Sequence, residues 1–310
     1  MDLSHYCVLV AEGTTRSGRL IASGLAALRA SVIVGTPNLR QGQAIRNALV
    51  AKNRNPRIHT CPLDLTNLSS VEQAIVKLKT QFPHLNALVL NADRLFWRYR
   101  KSNEGFEATY AHHVLGPLSL SLGLTDLLAQ NRRSIIITFG SDQYPFTRQA
   151  FDYSMKSSTT FPTKQSPPRT VSYNPLKSYL EAKLAILMIS SALRTRLHGN
   201  TATVFALDTP ISMSDRHPLQ LWMGYLTNQL RSPAVYAETV PHLLVSRKRM
   251  PYSGCLIREG KPSRKHGICQ EIDQDQLWEQ TVADLRAHSP ILHATSPLYP
   301  RNLGIQGVSG

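Results

Sequence analysis

Apolar residues along this 310-residue chain fall into two alternating rhythms. Short continuous runs, beginning with Tyr6-Cys7-Val8-Leu9-Val10, are bounded by polar or glycine-bearing turns and read as strands buried on both faces. Between them, apolar positions recur three and four residues apart, the period of a helix with one face turned inward. The first unit is a strand at 8–10, a turn from Gly13 to Arg19, a helix over 20–28 and a strand over 31–34. A helix over 41–52, a strand over 58–64 and an amphipathic helix over 68–82 follow, the last with Val71, Ile75, Leu78 and Phe82 on one face. A strand over 85–91, one long helix over 105–128 and a strand over 135–139 come next. The C-terminal part reads as a helix over 176–197, a strand over 202–207, a partly helical stretch over 218–230, a helix over 235–245, a strand near 253–257 and a short helix over 275–287. The longest irregular stretch, 142–171, is rich in Ser, Thr, Pro and Lys. No repeat or linker divides the chain, so one domain is expected over residues 1–288, with an extended tail over 289–310. Alternating strands and helices with continuously apolar strands imply a parallel, doubly wound sheet. Its ligand site is expected at the carboxyl ends of the strands.

One polar pair stands out against that frame. Tyr179 and Lys183 are four residues apart on a helix, so both side chains leave the same face one turn apart. A nearby ammonium favours a phenolate over a phenol and draws the tyrosine towards a working pKa, where it can exchange a proton with a carbonyl or an alcohol. Upstream, the strand end Thr138-Phe139-Gly140-Ser141 places a hydroxyl at the edge where such chemistry belongs. We therefore expect Tyr179 and Lys183 on one exposed helical face, within reach of Ser141.

Composition narrows the partners. Thirty-five Lys and Arg against 20 Asp and Glu leave a net charge of +15, and the pI is near 9.9. The basic residues are dispersed, with local density at Arg94 to Lys101, Arg247 to Arg249 and Arg258 to Lys265. No helix-turn-helix, RNA-recognition or zinc-finger pattern accompanies them, so specific nucleic-acid recognition is not expected; a merely basic surface is the plain reading, with an acidic protein partner or a place in a larger complex as the alternative. No apolar run approaches the roughly 18 residues of a membrane-spanning helix. The chain enters its first strand at once, which leaves no room for a signal or transit peptide. Cys7, Cys61, Cys255 and Cys269 are widely spaced, without a C-x-x-C pair. Free thiols in a reducing intracellular compartment, cytoplasm or organelle matrix or stroma, and no metal centre, are the plain reading.

Several short motifs, in order, now converge. They are Asp64-Leu65 after the third strand, Leu90-Asn91-Ala92 after the fourth, Gly105-Phe106-Glu107, Val114-Leu115-Gly116-Pro117, Ser141, Tyr179-x-x-x-Lys183-Leu184-Ala185, and Leu277-Trp278-Glu279. With them the chain, from about Tyr6 to Ala287, resembles the short-chain dehydrogenase/reductases, in the branch of retinol dehydrogenases and protochlorophyllide reductase. The resemblance implies an α/β, Rossmann-type, mostly parallel seven-stranded sheet with helices on both faces. It makes Tyr179 the general acid/base, Lys183 its partner and the holder of the nicotinamide ribose, and Ser141 the anchor of the substrate oxygen. The family's relay asparagine falls at His113, which suits a water-mediated relay or ordinary packing. On the cofactor side the resemblance points to Gly13, Arg16, Gly18, Asp64, Asn91 and Lys183. Relatives often pair through the long helix and the Tyr179 helix, and Leu184, Ile186 and Leu187 would allow a homodimer.

The same comparison exposes departures. The family's glycine-rich turn lies over Ala11 to Gly18, where only Gly18 is in place; Glu12 and Arg16 stand at the other two glycine positions. Glycine serves there because backbone must approach a pyrophosphate and take positive φ. Asp93 replaces the glycine after Asn91-Ala92, Thr209-Pro210 replaces a Pro-Gly pair, and Pro37 stands where relatives often carry an arginine for the 2′-phosphate. Arg40 lies three residues on and no acidic residue ends the second strand, so NADP(H) is placed ahead of NAD(H), with no cofactor at all as the other outcome. The readings are an NAD(P)(H) oxidoreductase for a carbonyl/alcohol pair, a catalytically inactive relative serving a larger assembly, and a cofactor-independent acid/base reaction at Tyr179. Phe96, Trp97, Tyr144, Phe146 and Trp222 suggest a hydrophobic substrate such as a retinoid, a steroid or another lipid-like carbonyl.

Overall fold

The computed structural model describes residues 1–131, 134–141, 173–197, 202–208, 234–246, 253–258, 260–262 and 271–289. The expected irregular stretch over 142–171, the Thr209-Pro210 pair, the 218–230 region, the cluster at Arg247 to Arg249 and all of the tail beyond Ser289 lie outside those residues, as do Tyr144, Phe146, Trp222 and Cys269.

The apolar runs form strands β1 (Cys7–Ala11), β2 (Ser31–Thr36), β3 (Ile58–Pro62), β4 (Ala87–Leu90), β5 (Ile135–Gly140), β6 (Thr203–Asp208), β7 (Leu256–Arg258) and β8 (Lys261–Pro262). They make one sheet in the order β3-β2-β1-β4-β5-β6-β7-β8. All pairings are parallel except the last, where β7 and β8 form a small antiparallel hairpin. The eighth strand corrects the expected seven. Its turn passes through Gly260 at φ +74°, a backbone setting that glycine takes without strain.

Alternate residues of each strand serve opposite faces. Leu9, Leu88 and Ile136 point into one core layer, and Val8, Val10, Val89 and Ile137 into the other. The second layer is closed by α1 (Arg16–Ala27), α2 (Leu39–Asn53) and α8 (Ala234–Val245) through Ile21, Leu25, Leu49, Val240 and Leu244. The first is closed by α3 (Leu68–Gln81), a segmented helix, α7 (Pro175–Arg196) and α9 (Glu271–Arg286). Helices on both faces of a parallel sheet leave its carboxyl edge as the open rim.

The long helix expected over 105–128 is broken into α4 (Ala108–Tyr110), a π turn (Ala111–Leu115), α5 (Gly116–Gly123) and α6 (Thr125–Ala129). A π turn adds one residue to a helical circuit and recurs at functional sites. Here it carries His112 and His113, both fully buried. Glu107, 1% exposed, fixes its approach. One carboxylate oxygen accepts from the Thr109 N–H and hydroxyl (2.9 and 2.8 Å) and from Tyr173 (3.2 Å). The other accepts from the Tyr110 N–H (3.1 Å) and the Ser178 hydroxyl (3.0 Å). One buried acid thus caps α4 and ties the π turn to the start of α7. Glu107→Ala removes the acceptor of the Thr109 and Tyr110 N–H groups and of the Ser178 hydroxyl, and we expect a loss of about 3 kcal/mol of stability, read by urea unfolding. An unchanged midpoint would remove Glu107 from this role.

Candidate functional site at the carboxyl edge of the sheet

Three segments meet at the rim: the turn after β1, the loop after β4, and the first turns of α7 beside the end of β5. In the first, Thr15 caps α1 by accepting from the Gly18 N–H at 3.2 Å. Gly18 has no room for a side chain, because a Cβ would lie 2.3 Å from the Glu12 carbonyl oxygen. Glu12 adopts φ 51°, the left-handed setting expected of the glycine it replaces. The turn is then knit by side chains. Ser17 donates to Asn91 Oδ1 and Asn91 Nδ2 donates to the Thr15 hydroxyl, both at 3.1 Å. Arg16 is exposed at the start of α1, while the Glu12 carboxyl is buried. Burial pushes Glu12 up to about 7, opposed by the Arg94 guanidinium and reinforced by Asp64.

In the second and third segments, Tyr179 and Lys183 do share a face of α7, but that face is closed. Tyr179 is 1% exposed and Lys183 0%. The expectation of an exposed pair is therefore overturned: α7 is packed against the strands, the π turn and α9, and the partner of both groups is Asp93. Its Oδ1 accepts the Tyr179 hydroxyl at 2.5 Å and pairs with the Lys183 ammonium at 2.6 Å. Lys183 also donates to the carbonyls of Ala92 (3.0 Å) and Phe139 (3.1 Å), so its three protons all have acceptors. Burial pulls Lys183 below the ordinary lysine range, while Asp93, and more weakly Asp208, push back. Tyr179 is among the largest fully buried side chains, and its ring meets His113 edge-on at 5.4 Å between centroids.

Ser141 is similarly engaged. Its hydroxyl donates to Asp208 Oδ1 at 2.9 Å, and Arg258 Nε donates to Asp208 Oδ2 at the same distance. Arg258, counted in the sequence among a basic surface cluster, thus turns inward. His113 Nδ1 lies 2.9 Å from the Thr109 carbonyl, which can only accept, so Nδ1 carries the proton and Nε2 is a bare acceptor. Among the described residues that Nε2 has no hydrogen-bond partner. Burial holds His113 far below the usual imidazole range and lowers His112 to about 3, so both rings are neutral.

The other expected residues have structural partners. Asp64 accepts from the Thr66 N–H and hydroxyl (2.9 and 2.6 Å) at the entrance to α3. Gly13 packs under Val34, whose Cγ1 would be 2.9 Å from an added Cβ. Arg40 is exposed in the first turn of α2, and Phe96 is buried against His112 with Arg94 over its ring. Leu184, Ile186 and Leu187 are buried within the chain, so they offer no apolar face to a second copy. Sequence reasoning marked Asp93 only as a lost glycine, and missed Asp208 and Glu107 as acceptors. The signal for Asp93 and Asp208 was an acidic residue in the loop just past β4 or at the end of β6, at the rim the Tyr179 helix also faces.

A nicotinamide dinucleotide does not fit this arrangement as it stands. The protons of Lys183, Tyr179 and Ser141 are given to internal carboxylates and carbonyls, and a buried carboxyl occupies the phosphate turn.

Residues 7–151 match the family model described as short chain dehydrogenase. Polyprenol dehydrogenase of Homo sapiens is 22% identical over 286 residues, 88% of this chain and 83% of that protein. The chain is related to the short-chain dehydrogenases. Retinol dehydrogenase 13 of Mus musculus is 24% identical over 291 residues, covering 89% of this chain and 82% of that one. A solved 7α-hydroxysteroid dehydrogenase complexed with NADH and 7-oxo glycochenodeoxycholic acid has the same fold, with a TM-score of 0.62 at 16% identity over 85% of this chain and 96% of its own. Set on the short-chain dehydrogenase pattern, Glu12 falls at a glycine position and has a glycine's φ, so the sequence register holds through the turn that departs most.

Glu12 gives a pH signature. Its folded value, about 7, lies above the ordinary 4.5, so the folded state holds a proton that the unfolded state releases between those limits. The Glu12 contribution to stability is greatest below pH 4.5 and falls, by about 3 kcal/mol, as the pH climbs to about 7. The buried histidines act oppositely below pH 6.5 but do so equally in Glu12→Gln. We expect the stability gap between Glu12→Gln and the natural chain to widen by that amount across the window in urea unfolding; a pH-independent gap would contradict it.

Proposed function

We propose that the chain is an oxidoreductase of the short-chain dehydrogenase type that interconverts a carbonyl and an alcohol on a hydrophobic molecule. The observation that carries this reading is the convergence of the Tyr179 hydroxyl and the Lys183 ammonium on one oxygen at the carboxyl edge of a parallel sheet. A substrate oxygen in that position would receive the phenolic proton during reduction and return it during oxidation. Lys183 would hold the phenol in place with its charge, and Ser141 would steady the oxygen. The neutral His113 ring stands edge-on to the phenol with Nε2 as an acceptor; it has no proton of its own to give, so a proton returning to Tyr179 would have to come from water on the solvent side. On this reading the redox partner would be a nicotinamide dinucleotide, admitted only when Asp93 gives up its partners, with NADP(H) placed ahead of NAD(H) because no acid closes β2 and Arg40 stands beyond it. The names of the polyprenol and retinol dehydrogenases support an isoprenoid-like or otherwise lipid-like substrate. Cys7 and Cys61, buried and free, support a reducing intracellular compartment. Among the described residues no helix is long and apolar enough to cross a membrane.

A second reading, a catalytically inactive relative in a larger assembly, is favoured by one observation. Each proton donor of the catalytic set already has an internal carboxylate, Asp93 for Tyr179 and Lys183, and Asp208 for Ser141. Arg94, Arg98, Arg100 and Lys101 are exposed in the loop after β4 and would suit an acidic partner.

Turnover separates the two. Purified protein is assayed with NADPH and NADH against retinoid, isoprenoid and steroid carbonyls. Under the first reading Tyr179→Phe lowers kcat by about 10²–10⁴-fold while cofactor affinity is kept, and an unchanged rate excludes the mechanism. Under the second, no carbonyl is turned over. The chain instead captures an acidic protein, a contact that weakens as salt rises.

A further inference from the structure

Asp93 differs from its two partners in position. Tyr179 and Lys183 are 1% and 0% exposed, whereas the Asp93 side chain retains 9%. It is the outermost of the three, lying in the irregular loop after β4, where a side-chain rotation disrupts no helix or strand. Its single oxygen Oδ1 takes both the phenolic proton and one ammonium proton. The other two ammonium protons go to backbone carbonyls, Phe139 within β5 and Ala92 in the loop just past β4, neither of which can be withdrawn by a side-chain rotation. Asp93 is therefore the one acceptor at Lys183 that a ligand could replace. A ligand hydroxyl reaching for these donors meets a charged acceptor already in place, bound by charge-assisted hydrogen bonds that a neutral hydroxyl does not match.

We propose that Asp93 is the residue that sets whether this site admits a dinucleotide: its carboxylate is an internal ligand that competes with the incoming hydroxyl for Tyr179 and Lys183. The ordinary alternative is that Asp93 only neutralises a buried lysine. The two differ in outcome, because a mere charge partner has no reason to lower ligand affinity when present. The proposal rests on the oxidoreductase reading for the choice of ligand, and its test reads binding rather than turnover.

NADPH and NADH are titrated by nicotinamide fluorescence into the full chain, natural and Asp93→Gly, with folding checked by circular dichroism and thermal melting. Asp93→Gly is expected to bind at least tenfold more tightly. Asp93→Asn, which keeps the shape and an acceptor oxygen but not the charge, is expected to fall between, and it carries the test if removing the carboxylate from beside a buried ammonium prevents Asp93→Gly from folding. Adding Lys183→Met to either variant should cancel the gain, since the gain needs the released ammonium. Unchanged or weaker binding in the folded Asp93 variant overturns the proposal, and so does a gain that survives Lys183→Met. Tight binding without carbonyl turnover in Asp93→Gly would defeat the oxidoreductase reading and leave this one standing. Turnover by the natural chain at an affinity equal to that of the variant would do the reverse.

Discussion

A single carboxylate oxygen, Asp93 Oδ1, holds a phenol and an ammonium together at the rim of the sheet, and the closed state of the site depends on it. A lysine with no exposure is costly to keep charged, since desolvation of an ammonium amounts to several kcal/mol in a protein interior. Lys183 meets that cost with two carbonyl acceptors and one opposite charge. Its backbone acceptors are Phe139 in β5 and Ala92 in the loop just past β4, so the same ammonium also ties that loop to the neighbouring strand. Tyr179 is then positioned by three things at once: its place one turn before Lys183, the His113 ring against its edge, and the shared carboxylate.

The turn after β1 follows the same logic with different chemistry. Where glycines are lost, side-chain hydrogen bonds hold the backbone. Thr15, Ser17 and Asn91 form one connected set linking the start of α1 to the end of β4. Gly18 survives because it is wedged against the Glu12 carbonyl, a contact no other residue tolerates. Glu12 keeps a left-handed φ although a side chain there is disfavoured. The backbone path therefore outlasts the glycines that would most easily adopt it, which is how a turn can retain a family's shape with little of its sequence.

Much of the sheet was legible in the sequence because buried parallel strands are continuous apolar runs: β1, β2, β4, β5 and β6 each lie within a residue or two of their expected limits. The segmented helix was not, since an apolar stretch such as Val114 to Leu128 has no face to reveal, and an added residue in a π turn leaves no compositional mark. The closed Tyr179 face was misread for a related reason. Helix α7 is covered on nearly every side, by the strands, the π turn and α9, so Tyr179-x-x-x-Lys183 could be located but its exposure could not. β8 is two residues long, below what any periodicity detects. The functional acceptors were hidden by category. An aspartate in place of a glycine reads as a loss, and only coordinates show that it has become a partner.

These acids are unevenly placed for a chain of net charge +15. Glu12, Asp93 and Asp208 all gather at the carboxyl edge, and each has a cation within its influence: Arg94 near Glu12, Lys183 on Asp93, Arg258 on Asp208. The long-range field of the molecule attracts anions, but Lys183 and Arg258 at the rim already have acids beside them. An anionic ligand would be drawn to the surface and then find the rim's cations already occupied. Affinity at this site is thus governed less by how many cations are present than by how readily their internal acids let go. Asp93, the most exposed of the three and the one outside regular structure, is where that exchange would begin.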